Sequence, residues 1–224
     1  PWRLAIRDIE ASVDPNICAL AVPKVADPGH LCAIAEILSE LEAERGLEPG
    51  HTRLIAMIET ADAYFQVRDI AAANSRVVAM TLGQEDFALS TGMEPEPEAL
   101  FQPCLQVVFA ARAAGILPLG FVGSIAEYQD KGKFQKIARQ ARRIGFTGAF
   151  CIHPLQAQVL NEEFSPTADE VATAKSMISA YEDALAQGRG SIEYQGKMLD
   201  EPIVERARQI LLHYQRIKNH SSRG

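Results

Sequence analysis

The sequence predicts an α/β fold, a parallel β-sheet covered by helices. Three observations lead there. A strand-like apolar run, a polar turn and a helical stretch recur along the chain, with the five strand ends near Lys24, Glu59, Glu85, Gly123 and His153. The clearest runs, Leu54-Ile-Ala-Met-Ile58 and Val77-Val-Ala-Met-Thr-Leu82, are continuously apolar and read as buried strands. The chain is 224 residues long, 47% hydrophobic and 23% charged, which is enough to build the core of one α/β domain.

The elements follow in order. Trp2 to Ser12 spaces Trp2, Leu4, Ile6 and Ile9 among charges and predicts a helix, broken by Asp14-Pro15-Asn16. Ile17-Cys-Ala-Leu-Ala-Val22 predicts a strand ending in Pro23-Lys24. His30 to Leu47 is a helix with Leu31, Ile34, Ile37, Leu38 and Leu41 on one face. The strand into Glu59 comes next, then a helix over Asp62 to Ala73, then the strand into Gly83-Gln-Glu-Asp86. Pro97 to Ala114 is helical and stops at Gly115. Ile116 to Val122 is a strand shortened by Pro118, Phe134 to Ile144 a basic amphipathic helix, and Gly148 to Ile152 a fifth strand before His153-Pro154. The rhythm then stops. Thr167 to Gln187 is a long helix opened by a capping box, Thr167-Ala-Asp-Glu170. Ser191 to Met198 predicts a hairpin turning at Gln195-Gly196, and a last helix runs from Ile203 to about Ile217 before a frayed tail from His220.

The net charge of −7 and the pI near 5.3 exclude non-specific nucleic-acid binding. No apolar run approaches the roughly 20 residues that cross a bilayer, and Pro1-Trp-Arg-Leu has no basic-then-apolar leader pattern. Cys18, Cys32, Cys104 and Cys151 are scattered, with neither a C-x-x-C pair nor a histidine at zinc spacing. Reduced, mostly buried thiols in a cytoplasmic protein are expected.

The strongest chemical signal is a pair of acids. Glu59 and Asp86 each follow a buried run and lie 27 positions apart, one strand-turn-helix step of roughly 25 to 35 residues. In a parallel sheet that step brings both to the carboxyl edge of neighbouring strands, where active sites gather. Two hard oxygen donors side by side make a seat for Mg²⁺. The alternative is that both acids cap the helices that follow them, Asp86 preceding Phe87-Ala-Leu.

Five strands do not close a parallel barrel, which takes eight. The choice lies between an open doubly wound sheet and a chain lacking units at its beginning, and the start on a helix favours the second.

Several short motifs occur in order: Val22-Pro23-Lys24, Ile58-Glu59-Thr60-Ala61, Gly83-Gln84-Glu85-Asp86, Cys151-Ile152-His153-Pro154-Leu155-Gln156 and Lys197-Met198-Leu199-Asp200-Glu201-Pro202-Ile203-Val204. Together they resemble the citrate lyase β-subunit-like proteins within the HpcH/HpaI aldolase family, over nearly the whole chain. The resemblance implies a (β/α)₈ TIM barrel, of which about the last five strands fall in residues 1–160. It also implies a C-terminal helical extension or lid over residues 161–224, and a homotrimer in which that extension reaches a neighbour's site. It implies a Mg²⁺-dependent lyase acting on citryl, malyl or citramalyl thioesters, with Glu59 and Asp86 as metal ligands. It places the aspartate at position 200 in the adjacent subunit's site, moving a proton of the acetyl methyl group; the local reading of Asp200 is an N-cap before Pro202. The family also uses an arginine just upstream of a Pro-Trp-like stretch. As the chain begins at Pro1-Trp2, that arginine and about three strands are expected to be missing. A second departure is Phe121-Val122-Gly123-Ser124, near which many members carry an acid.

The remaining candidates have two readings each. The backbone N–H groups of Gly83, Gln84 and Glu85 suit a substrate carboxylate, as a nest does, while the Glu85 side chain reads as structural. Lys24, at a strand end, suits substrate or thioester contact, a surface ion pair or, least of all, a Schiff base. His153 is a base or a turn residue. Lys131, Lys133, Lys136, Arg139, Arg142 and Arg143 form a solvated helix face or a contact for coenzyme A phosphates. The expected reaction is cleavage of a 3-hydroxyacyl-CoA to an acyl-CoA and a 2-oxo acid, both small-molecule partners. The alternatives are an aldolase on free 4-hydroxy-2-oxo acids, a thioester hydrolase and a non-catalytic subunit.

Overall fold

The computed structural model of the chain describes residues 2–123 and 130–221. It divides into two compact units, Pro1–Leu160 and Asn161–Gly224.

The first unit carries a parallel sheet of four strands in the order β1 (Ala19–Val22), β2 (Arg53–Ile58), β3 (Val77–Leu82) and β4 (Leu117–Leu119). Sequential neighbours, all parallel, are what βα steps produce when each crossover has the same hand. The fold is therefore α/β. Among the described residues the sheet is open and closes no barrel. β3 is buried along nearly its whole length, as its unbroken apolar run requires, and Leu54, Ala56, Ile58 and Met80 are fully enclosed.

The expected fifth strand is reduced to one parallel bridge, Leu119 to Gly148. Among the described residues, the Gly120 amide to the Gly148 carbonyl (2.8 Å) and the Thr147 amide to the Pro118 carbonyl (2.9 Å) continue the ladder. Pro118 has no N–H to give, and Gly120 turns out of extended conformation at φ 141°, so the edge beyond β4 offers few donors.

α1 (Trp2–Ser12) and α2 (Pro28–Glu44) fall where the periodicity places them. α2 is entered through Asp27, whose carboxylate accepts the His30 amide, with proline in its first turn. The single helix expected over Asp62 to Ala73 is two short ones, α3 (Ala61–Phe65) and α4 (Val67–Ala71), joined at Gln66. The break turns Val67 and Ile70 into the core and leaves Phe65 85% exposed. α5 (Gln84–Thr91), α6 (Pro97–Ala113), α7 (Lys131–Ile144) and α8 (Pro154–Phe164) complete the unit, α8 running past its boundary; α5 and α8 are short helices that the apolar pattern does not reveal.

In the second unit α9 (Ala168–Ala186) opens with the reciprocal capping box of Thr167 and Glu170. β5 (Ile192–Tyr194) and β6 (Lys197–Leu199) form the antiparallel hairpin. Gln195 (φ 50°) and Gly196 (φ 75°) make its turn, both in the left-handed region that a two-residue hairpin demands. α10 (Glu201–Ser221) follows, and Tyr181, Leu199 and Val204 form the core of the unit. The expected fraying of the last residues falls mostly outside the described residues, as does Ser124.

All four thiols are free. Cys104 is buried and Cys32 half-buried, but Cys18 and Cys151 are exposed, which corrects the expectation of mostly buried thiols. No helix among the described residues is long and apolar enough to cross a membrane.

Candidate active site

Glu59 directly follows β2, and Asp86 lies in the first turn of α5, directly after β3. Both line one cavity of about 200 Å³ at the carboxyl edge of the sheet, with Met57, Gln84, Phe121 and Phe150 among its walls. Parallel pairing of β2 with β3 puts Ile58 beside Leu82, so the residues that follow these strands emerge side by side.

Gly83 allows the approach. Its amide donates to the Ile58 carbonyl at 2.8 Å and extends the ladder by one step. A Cβ on Gly83 would lie 2.4 Å from Glu59 Cγ and 2.6 Å from Oε1, so the glutamate crosses the space that only glycine leaves. That amide is thereby committed, and the expected three-amide nest shrinks to Gln84 and Glu85. Both lie in the first turn of α5.

Lys24 ties the acids together. Its amide donates to Glu59 Oε2 at 2.5 Å, and its Nζ lies 3.0 Å from Asp86 Oδ1. It does this from a left-handed backbone, φ 49°, a conformation that costs a non-glycine residue on the order of 1 kcal/mol and gathers at functional sites. Burial pushes the Glu59 carboxyl above its ordinary range and the Asp86 charge adds to this; the Lys24 amide and ammonium offset it only in part. The Lys24 ammonium is held above its ordinary value by its hydrogen bond and ion pair with Asp86, with Glu59 contributing. The Lys24 ammonium is thus seated against Asp86, beside a desolvated Glu59. Two hard carboxylates suit a hard divalent ion. No group of three or more His, Cys, Asp or Glu side chains forms a metal cluster among the described residues, so further ligands would come from water and substrate oxygens.

The other candidates are placed as follows. The Gln84 side chain donates through Nε2 to the Phe121 carbonyl, so it braces the loop after β4. The buried Cys104 thiol, pushed up to about 12 by burial, sits 3.7 Å from the same carbonyl. Glu85 is exposed on the cavity rim. His153 accepts the Leu155 amide at Nδ1 (3.2 Å) and caps α8. The basic residues of α7 line its outer face, while its Phe134 packs edge-on against Phe121 with ring centroids 5.5 Å apart. Asp200 belongs to the second unit. There its carbonyl receives the Val204 amide at 3.0 Å and its carboxylate faces the Ile203 amide at 3.4 Å, the position of an N-cap for α10.

Sequence reasoning missed the walls of the cavity, Phe121 and Phe150, and the bracing role of Gln84. Both aromatics lie within expected strands, where an apolar run does not tell a cavity wall from a core residue, and the partner of Gln84 lies 37 residues away.

The profile of the HpcH/HpaI aldolase/citrate lyase family matches residues 2–154. The chain belongs to that family. It is accordingly an enzyme of the carbon–carbon lyase class. The citrate lyase subunit beta of Haemophilus influenzae is 33% identical over 212 residues, spanning 93% of this chain and 72% of the relative. The L-malyl-CoA/beta-methylmalyl-CoA lyase of Cereibacter sphaeroides is 29% identical over 232 residues, 94% of this chain and 71% of the relative. Among solved structures, CitE of Mycobacterium tuberculosis in complex with magnesium, acetoacetate and coenzyme A superposes with a TM-score of 0.73 at 25% identity, over 93% of this chain and 73% of that one. A citrate lyase of Burkholderia xenovorans, at 21% identity, shares the fold with a TM-score of 0.81 over 97% of this chain and 69% of that one. Within this HpcH/HpaI chain the family match spans the whole sheet and both cavity acids, and ends as α8 begins.

Proposed function

We propose that this protein cleaves a 3-hydroxyacyl-CoA of the malyl, citramalyl or citryl kind to an acyl-CoA and a 2-oxo acid, with Mg²⁺. The observation that carries this is the joint placement of Glu59 and Asp86: adjacent parallel strands deliver them to one cavity, and one residue, Lys24, engages both, Glu59 through its amide and Asp86 through its ammonium. The relatives named as malyl-CoA lyase and the CitE complex with magnesium, acetoacetate and coenzyme A support it.

Glu59 and Asp86 would hold the Mg²⁺. When bound, the ion supplies Lewis-acid stabilisation of charge developing on the 2-oxo acid oxygen. The remaining work falls to the chain itself. The Lys24 amide holds Glu59 in place over Gly83. The Gln84 and Glu85 amides at the start of α5 receive a substrate carboxylate, as helix N-termini do. Phe121 and Phe150 give the cavity apolar walls. The Lys24 ammonium meets the acid end of the substrate at the rim. Asp200 acts from a neighbouring subunit of a homotrimer, passing to the acyl-CoA carbon that the cleaved bond leaves behind a proton that balances the one the substrate hydroxyl gives up to water as its carbonyl forms. In this reading residues 1–160 are part of a (β/α)₈ barrel, residues 161–224 are the lid over the neighbour's site, and the protein works in the cytoplasm.

The test is an assay with Mg²⁺ on malyl-, citramalyl- and citryl-CoA, with 2-oxo acid and acyl-CoA both quantified. Cleavage of one thioester supports the proposal. Turnover of free 4-hydroxy-2-oxo acids alone moves it to an aldolase. Release of free CoA without carbon–carbon cleavage marks a thioester hydrolase instead.

A further inference from the structure

Lys24 touches the two acids with two different groups, and the contacts differ in permanence. The amide contact to Glu59 is short, 2.5 Å, and belongs to the backbone turn after β1. The ammonium contact to Asp86 sits at the end of a flexible four-carbon stem. Its side chain is 66% exposed and that of its partner 44%. An ion pair so open to water is weak and exchanges readily with other cations. A divalent cation and an ammonium repel each other, so they do not share one carboxylate at short range without cost.

We propose that Lys24 is a placeholder for the divalent cation: its ammonium neutralises Asp86 until the metal arrives, and is then displaced to face the anionic substrate, while its amide keeps Glu59 in position throughout. The inference rests on Glu59 and Asp86 being the metal pair. It adds an order of assembly: the cation first, the 2-oxo acid second, with Lys24 changing partner between the two. The left-handed backbone at Lys24, φ 49°, fits this division of labour. It keeps the amide on Glu59 whatever the side chain does.

The test is calorimetric. Mg²⁺ is titrated, at fixed ionic strength, into the full-length protein and into Lys24→Met and Lys24→Arg. Pyruvate is then titrated, as the 2-oxo acid probe, into each protein saturated with Mg²⁺. Methionine keeps the amide and the reach of the side chain but removes the charge; arginine restores the charge. Lys24→Met is expected to bind Mg²⁺ about three- to tenfold more tightly than the parent and Lys24→Arg within about twofold of it. Pyruvate is expected to bind Mg²⁺-loaded Lys24→Met about tenfold more weakly than the parent, with recovery in Lys24→Arg. Equal Mg²⁺ affinity in the parent and Lys24→Met overturns the placeholder role and leaves the metal pair standing. Tighter Mg²⁺ with unchanged pyruvate affinity also overturns the proposal, because the ammonium is then not delivered to substrate. No Mg²⁺ binding by any of the three proteins removes the metal pair and the inference with it.

Discussion

Glu42 and Glu59 are both buried, Glu42 on α2 beside the residues that lead into β2 and Glu59 directly after its last residue. Glu42 sits at the amino edge of β2. There Arg76 grips it with two bonds of 2.7 Å, and the Thr52 and Gly50 amides donate to it at 2.8 Å each. Burial alone would raise its carboxyl, but Arg76 and the two amides outweigh it, and the group settles at about 2. Glu59, at the carboxyl edge, receives one backbone amide and a share of one exposed ammonium, and its carboxyl is pushed up. The same residue type, equally enclosed, is fully neutralised at one edge and left short of positive charge at the other. The difference separates an acid fully paired within the fold from one left short of positive charge.

That contrast can be broken or sharpened. The largest effect is expected at the structural edge. Arg76→Ala leaves Glu42 buried without its partner and is expected to cost about 3–5 kcal/mol in urea unfolding. The pH dependence comes next. The folded pKa of Glu42 is depressed from 4.5 to about 2, so its contribution is present above pH 4.5 and lost as pH falls through 2. It amounts to on the order of 3 kcal/mol, and Glu42→Gln is expected to flatten the acid limb of the stability curve. Glu59 has the opposite sign. Its folded pKa is raised, so the stability due to its protonated form is present below pH 4.5 and lost as pH rises through the raised value.

Mg²⁺ is expected to repair that loss. At a hundredfold excess over its Kd it stabilises the parent by about 2.7 kcal/mol, and this gain is expected to vanish in Glu59→Gln, as read by the shift of the urea midpoint with and without the ion. The smallest change is expected from Gly83→Ala. A Cβ there meets Glu59 Cγ at 2.4 Å and is expected to cost about 1–3 kcal/mol while weakening Mg²⁺, whereas Gly92→Ala, with open space at its Cβ position, leaves Mg²⁺ binding unchanged.

Much of this was legible in the sequence. The continuous apolar runs located β2 and β3, and the capping box of Thr167 and Glu170 and the Gln195-Gly196 turn occur where their residue types demand. The spacing of Glu59 and Asp86 implied a shared edge, and both line one cavity. What stayed hidden is chiefly long-range. The fifth strand shrank to a single bridge beside the short, Pro118-bearing β4; Pro118 foretold the shortening of β4 itself, but not its effect on the neighbouring strand. Arg76 meets Glu42 across 34 residues and Gln84 meets Phe121 across 37, with no periodicity to announce either.

By itself the sequence determined the alternation of strands and helices, the caps and turns that delimit them, and the pair of acids that follow neighbouring strands. Periodicity, capping and turn chemistry act over a few residues, so they can be read from a few residues. Only the tertiary structure decided which glutamate is paired with a guanidinium and which is left short of positive charge, and that Lys24 contacts both cavity acids. Those outcomes depend on burial and on partners brought together from distant parts of the chain, and electrostatic balance inside a fold is a property of that gathering.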